Sequence, residues 1–303
     1  PTVGGFLYLS SVTSIPEGFN PLDDGVLMKH QREVAAIQAA IIAVPKGRRT
    51  GITFGTMLNK TLVAAARKSA GGDNVYYIGD TKEKGLEAIG YCAKFARVIA
   101  QAQGQGVSGV EEFLFEDQDD TGKTKHITAY RIRFASGFQV CALSSRPANI
   151  RGLQGHVVID EAAFHPDVQG VLDAATALLI WGGQITVISS HNGKNNPFAQ
   201  FCRDIEAGRY GTDATVVTVT FDDAVANGLY ERVCAMKGIP ATEEGKRDWY
   251  TAIRAAYGPR KAAMREELER TVMTAVDGLP EELRTAITLL FALMVQYTLR
   301  SKI

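Results

Sequence analysis

Between Gly155 and Ala162 the chain runs from three β-branched residues, Val157, Val158 and Ile159, directly into two adjacent carboxylates, Asp160 and Glu161. The run is short, apolar and stops at charge, so it reads as a buried strand. Two neighbouring carboxylates at the end of a core strand are costly unless something uses them. Phosphate hydrolysis is one use: the first carboxylate holds magnesium, directly or through water, and the second polarises the attacking water. A strand ending in acids at a solvent edge is the other reading, and the pair alone leaves both open.

A second apolar strand, Ile41-Ile42-Ala43-Val44, leads through Pro45 into Lys46-Gly47-Arg48-Arg49-Thr50-Gly51-Ile52-Thr53, followed by helix-compatible sequence from Phe54 to about Arg67. Strand, glycine-containing turn and helix together present backbone N–H groups to an anion. The usual pattern is G-x-x-x-x-G-K-[ST]. Gly51 and Thr53 fit it, but Ile52 stands where the lysine belongs and Lys46 where the first glycine belongs. Either the site is dead, because isoleucine cannot neutralise phosphate charge, or Lys46 reaches the same phosphates from the other end of the loop. Arg48 and Arg49 add positive charge. Retention of Thr53 and of the acidic pair favours a displaced lysine. This reading predicts both segments at the C-terminal ends of adjacent or near-adjacent parallel strands.

On these residues the chain resembles the large terminase subunit of tailed phages, in its N-terminal ATPase half, and most closely the Mu-like group. Lys46 to Thr53 is similar to the family's variant phosphate loop, in which the lysine opens the motif. Ser144 to Gly152, leading into Val157 to Ala162, resembles the stretch before the acidic pair. Ile188 to Gly193 with Asn196-Pro197-Phe198 resembles the coupling motif, and His30-Gln31 lies where the family has an adenine-reading glutamine. Together these cover about residues 25 to 205.

The resemblance implies an α/β fold of the P-loop NTPase type: three layers, with a mainly parallel central sheet and helices on both faces. It implies an ATPase with ATP and Mg2+ as cofactors, driving double-stranded DNA into a capsid in the host cytoplasm. The partners it implies are the phage portal, the small terminase subunit and further copies in a homo-oligomeric ring. Glu161 is the expected catalytic residue, Thr53 and Asp160 the expected magnesium ligands. Gln31, Lys46, Gly47, Arg48, Arg49, Thr50, Gly51, Ile52, Thr53 and Ser190 are the expected nucleotide-binding residues. Arg146 and Arg151 flank Pro147 to Ile150, a segment not expected to be regular helix or strand. One of the two is expected to reach a nucleotide phosphate, in its own subunit or across a ring interface; a surface salt bridge is the equal alternative. Two other functions stay open. One is an inactive P-loop-like remnant or scaffold, which Ile52 favours. The other is a helicase-type ATPase, which would lack the Asn196-Pro197-Phe198 context.

Residues 1–24 read as an extended leader or lid, 25–222 as the ATPase core and 223–303 as a helical segment. The family's ribonuclease H type nuclease domain needs several separated carboxylates. No such set follows Phe221, so neither that domain nor nuclease activity is expected. With 303 residues, 46% of them hydrophobic, the chain has ample material for a core. Its 33 basic and 33 acidic residues cancel, so contact with DNA would rest on a local patch. Cys92, Cys141, Cys202 and Cys234 form no C-x-x-C pair, which suggests neither zinc nor a disulfide framework and points to a reducing cytosol. His165 reads as a loop residue, Glu116 to Asp120 as a solvated turn, and Asp222-Asp223 as a helix-capping turn. Leu289 to Val295 is too short to span a bilayer.

Further helices are predicted at about Leu27–Ala40, Lys82–Ala102, Asp167–Ile180, Arg247–Tyr257 and Lys261–Ala275. Further strands are predicted at Val75–Gly79, Glu111–Phe115, Ala129–Phe134, Phe138–Leu143, Gln184–Ile188 and Val216–Phe221. Alternating strands and helices argue for a mainly parallel sheet covered on both faces.

Overall fold

The computed structural model describes residues 25–103, 110–118 and 124–269; the leader at 1–24 and the tail beyond 269 lie outside the described residues. The strands are β1 (Ile41–Pro45), β2 (Val75–Gly79), β3 (Val110–Gln118), β4 (Thr124–Arg133), β5 (Gln139–Ser144), β6 (His156–Asp160), β7 (Ile185–Ser189) and β8 (Ala214–Val216). They form one eight-stranded sheet in the order β3-β4-β5-β2-β6-β7-β1-β8. From β5 to β8 every pairing is parallel; β3 and β4 add an antiparallel edge.

The helices are α1 (Lys29–Ala35), α2 (Ile52–Ala65), α3 (Lys82–Gln103), α4 (Pro147–Ile150), α5 (Val168–Thr176), α6 (Pro197–Glu206), α7 (Phe221–Ala226), α8 (Leu229–Lys237), α9 (Glu243–Ala255) and α10 (Lys261–Leu268). Successive residues of a strand point to opposite faces, and the core divides accordingly. Ile41, Ala43, Ile78, Val157, Ile159 and Val187 pack with α5 and α6. Ile42, Val44, Tyr77, Val158 and Ile188 pack with α1, α2 and α3 on the other face. Strands buried on both faces can be continuously apolar, which is why β1 and β6 read as runs without alternation.

Several boundaries differ from expectation. The first helix stops at Ala35 instead of running to Ala40, because residues 37 to 40 become the approach to β1: the Ala39 carbonyl accepts from Gln184, and Ala40 N–H donates to Asp213. The expected helix to Ile180 breaks into a 3-10 turn, Ala177–Trp181, that leaves Trp181 75% exposed at the starting edge of β7. The expected strand to Phe221 is regular only to Val216; beyond it Val217 and Val219 still donate to Ala43 and Pro45, and Thr220 caps α7 with Asp223 in a reciprocal box. Glu116 and Asp117, expected in a turn, lie within β3. Arg146 to Arg151 is a helical turn, with Pro147 at the position where its fixed φ suits a helix start.

After Thr220 all described elements are helices. They share a small core of Phe221, Val225, Tyr250, Met264 and Leu268. No helix among the described residues is long and apolar enough to cross a membrane, and all four cysteines are free and buried.

Candidate active site

Six parallel strands deliver their C-terminal ends to one edge of the sheet, where ligands of open α/β folds bind. β1 ends at Pro45 before the phosphate-loop segment, and β6 ends at Asp160; β7 lies between them. The loop is pinned at its start. Lys46 N–H donates to Ser189 O (2.9 Å), Gly47 N–H to Val219 O (2.7 Å) and Arg48 N–H to Glu267 O (2.6 Å). A Cβ on Gly47 would stand 2.7 Å from Phe221 N, so only glycine lets the loop pass here. Its second half differs: the N–H groups of Arg49 through Thr53 find no acceptor among the described residues. Unpaired donors leading into a helix N-terminus make an anion cradle.

Gly51 closes the loop at φ 77°, and a Cβ there would lie 2.5 Å from Gln31 Nε2. Gln31 is buried beneath it, donating to Gly51 O (2.7 Å) and accepting from Met28 N–H (2.7 Å); His30 Nε2 donates to Thr50 O (2.8 Å). Helix α1 thus braces the loop from below.

The loop and the acidic pair share a cavity of about 190 Å³, whose other wall is Lys84, Glu87 and Tyr91 of α3. Thr53 Oγ1 donates to Asp160 Oδ2 (2.9 Å), and Tyr77 Oη donates to the same oxygen (2.8 Å). Lys46 Nζ, 6% exposed, donates to Glu161 Oε1 at 3.0 Å. Burial raises the Asp160 carboxyl above its ordinary range; Lys46 opposes that and Glu161 adds to it. At Glu161 burial also pushes upward, but the Lys46 charge and hydrogen bond, with Lys84 and Arg48, outweigh it and lower the carboxyl. A buried carboxylate beside a threonine hydroxyl is a hard-oxygen set suited to a divalent cation, which would hold Asp160 ionised.

Arg49 (φ 60°) and Glu161 (φ 53°) are the only non-glycine residues at positive φ among those described. Both line the cavity, and backbone strain of this kind concentrates at functional sites. The turn after Glu161 is held from β7: Ala163 N–H donates to Ser189 Oγ (3.0 Å), and Asn192 and Asn196 donate to Ala163 O.

The structure therefore brings Lys46, Arg48, Arg49, Thr50, Gly51, Ile52, Thr53, Asp160 and Glu161 to one cavity. Ile52 is 1% exposed and belongs to the core beneath α2. Gln31 and Gly47 shape the loop without lining the cavity, and Ser190, buried at the end of β7, does not line it either. Arg146, half-buried, and Arg151, exposed, bracket α4 away from the cavity. Sequence reasoning missed Tyr77, which looks like any strand aromatic, and Lys84. It also passed over His165, which is buried: Nε2 donates to Asp160 O (2.8 Å) and Nδ1 accepts from Ser145 Oγ (2.5 Å), tying the acid strand to the segment bearing Arg146. Arg48 and Arg49 also border an apolar cavity of about 350 Å³ lined by Phe221, Trp249 and Tyr257.

No family model matches the chain. It is 41% identical over 264 residues to the probable terminase large subunit gp28 of Escherichia phage Mu, a match covering 87% of this chain and 46% of that protein. It is also 41% identical over 235 residues to the Mu-like prophage FluMu protein gp28 of Haemophilus influenzae, covering 78% of this chain and 44% of that protein. The chain thus spans about half the length of the curated relatives it matches. Its fold is that of terminase ATPase domains. The Thermus phage P74-26 large terminase ATPase domain superposes with a TM-score of 0.52 at 16% identity, covering 84% of this chain and 100% of that one. The HK97 bacteriophage large terminase gives 0.51 at 13% identity, covering 80% and 50%.

Proposed function

We propose that this chain, a relative of the large terminase subunits of Mu-like phages, is the ATP-hydrolysing part of a motor that drives double-stranded DNA into a capsid. The observation that carries the reading is the meeting of Lys46, Thr53, Asp160 and Glu161 around one cavity floored by unpaired N–H groups. Thr53 and Asp160 would hold Mg2+, which when bound neutralises phosphate charge as a Lewis acid. The loop N–H groups, Lys46 and Arg49 bind and orient the phosphates. Glu161, lowered and hence ionised at neutral pH, takes up a water proton or orients the water. The aromatic cavity beside Arg48 and Arg49 suits the base; Gln31 has both amide atoms engaged with the loop and α1.

The polar tip of β7 grips the Glu161 turn at Ala163. A shift of that turn would pass to β7, a route for coupling hydrolysis to movement. DNA, the portal, the small subunit and neighbouring copies are the partners proposed from the relationship. The test is magnesium-dependent ATP hydrolysis by the purified chain, with and without DNA. Turnover abolished by Glu161→Gln supports the motor. A folded chain that binds no ATP would leave the inactive scaffold, favoured by the buried Ile52.

A further inference from the structure

We infer that Lys84 is a further phosphate-contacting cation of this site, beside Lys46 and Arg49, directed at the terminal phosphate of the nucleotide and held in position by Asp80; the inference rests on the nucleotide-hydrolysing reading above. Strand β6, with Asp160 and Glu161 at its tip, is flanked by β7 on one side and β2 on the other. Lys46 reaches Glu161 across β7 from β1. Lys84 follows β2, so it enters the cavity from the opposite flank. The two ammonium groups therefore bracket the acidic pair, and the charges of both act on the Glu161 carboxyl.

With Ile52 in the core, the cavity is lined by the cations Lys46, Arg48, Arg49 and Lys84. Lys46 is bonded to Glu161 and Arg48 to Glu267. Lys84 stands on the wall facing the loop, its partner Asp80 being part of the strand exit itself, at 3.0 Å. A lysine in the first turn of a helix opposes the helix dipole, so the dipole of α3 does not account for its charge there. The Gly79 exit has no side chain to hold that turn away: a Cβ at Gly79 would meet the Tyr77 ring at 3.0 Å and Lys84 Cβ at 3.3 Å. Asp80 fixes one rotamer of an otherwise flexible stem. The plain alternative is an i,i+4 ion pair that only steadies α3.

A contact to the terminal phosphate distinguishes triphosphate from diphosphate, and a helix-steadying ion pair does not. The experiment is calorimetric binding of Mg·ATPγS and of Mg·ADP to the purified full chain and to Lys84→Ala and Lys84→Arg. Lys84→Ala should bind ATPγS about tenfold more weakly, with ADP affinity within about twofold of the parent. Lys84→Arg should recover most of the lost ATPγS affinity. Equal loss for both nucleotides, or no loss for either, overturns the inference while leaving the site itself intact. A parent chain that binds neither nucleotide overturns the inference together with the reading beneath it. Unchanged ADP binding also shows that the variant is folded.

Discussion

Glu161 combines a left-handed backbone, a carboxyl lowered by Lys46 and a turn gripped at Ala163 by three side chains, Ser189 at the end of β7 and Asn192 and Asn196 beyond it. Each feature fixes where one carboxylate oxygen points. Glu161→Gln keeps the shape and removes the charge, so ATP turnover should fall by at least about a hundredfold while nucleotide affinity stays near the parent value; turnover at the parent rate would remove Glu161 from its role. Lys46 and Ile52 should part company in the same assays. Lys46→Ala should cut ATP binding or hydrolysis sharply. Ile52→Ala should cost on the order of 2–4 kcal/mol of stability, as a buried truncation, and leave the nucleotide affinity of the folded fraction unchanged. The opposite pattern would return the phosphate contact to position 52. These residues were legible because each belongs to a contiguous motif. Tyr77, Lys84 and His165 were not: Tyr77 meets Asp160 across 83 positions of chain, and nothing in the local pattern announces that pairing.

At the scale of elements, the strands were the most legible part, since β-branched runs bounded by polar residues leave few other readings. Helix ends were less so. Residues 36–40 have helix-forming composition, yet they are drawn into the approach to β1. Sheet order was legible only in part: the motifs predicted β1 and β6 as near neighbours, and β7 alone separates them, but the full order depends on which strands pair across long crossovers. The same order buries a basic pair at the edge opposite the cavity: Lys60 of α2 donates to His156 Nδ1 (3.1 Å) at the start of β6 and to Gln184. Burial lowers Lys60 to about 8; burial first, then the Lys60 charge, lowers His156 to about 4. Both folded values lie below the unfolded ones, so between each pair the unfolded chain binds more protons and stability rises with pH. Denaturation midpoints should therefore fall as pH drops from about 6.5 to about 4, and should climb between about 8 and about 10.5. Lys60→Met should flatten the alkaline slope and make the acidic one shallower. Slopes unchanged in that variant would place the titration elsewhere.

For the whole molecule, the sheet gathers its chemistry on one edge and leaves α4, with Arg146 and Arg151 at its ends, outside the cavity. A guanidinium so placed would act on a phosphate in a neighbouring copy, where its planar fork matters more than its charge. In an assembled ring, hydrolysis should drop steeply for either Arg146→Lys or Arg151→Lys with little change in nucleotide affinity. Parent-level activity in both would leave a surface salt bridge as their role. The two-edged build also gives the protein an optical use. Of its two tryptophans, Trp249 lines the aromatic cavity beside Arg48 and Arg49, while Trp181 stands exposed at the far edge. A neutral quencher such as acrylamide should therefore reach the exposed Trp181 more readily than the half-buried Trp249, and the emission that survives it becomes an intrinsic, label-free reporter weighted toward the loop.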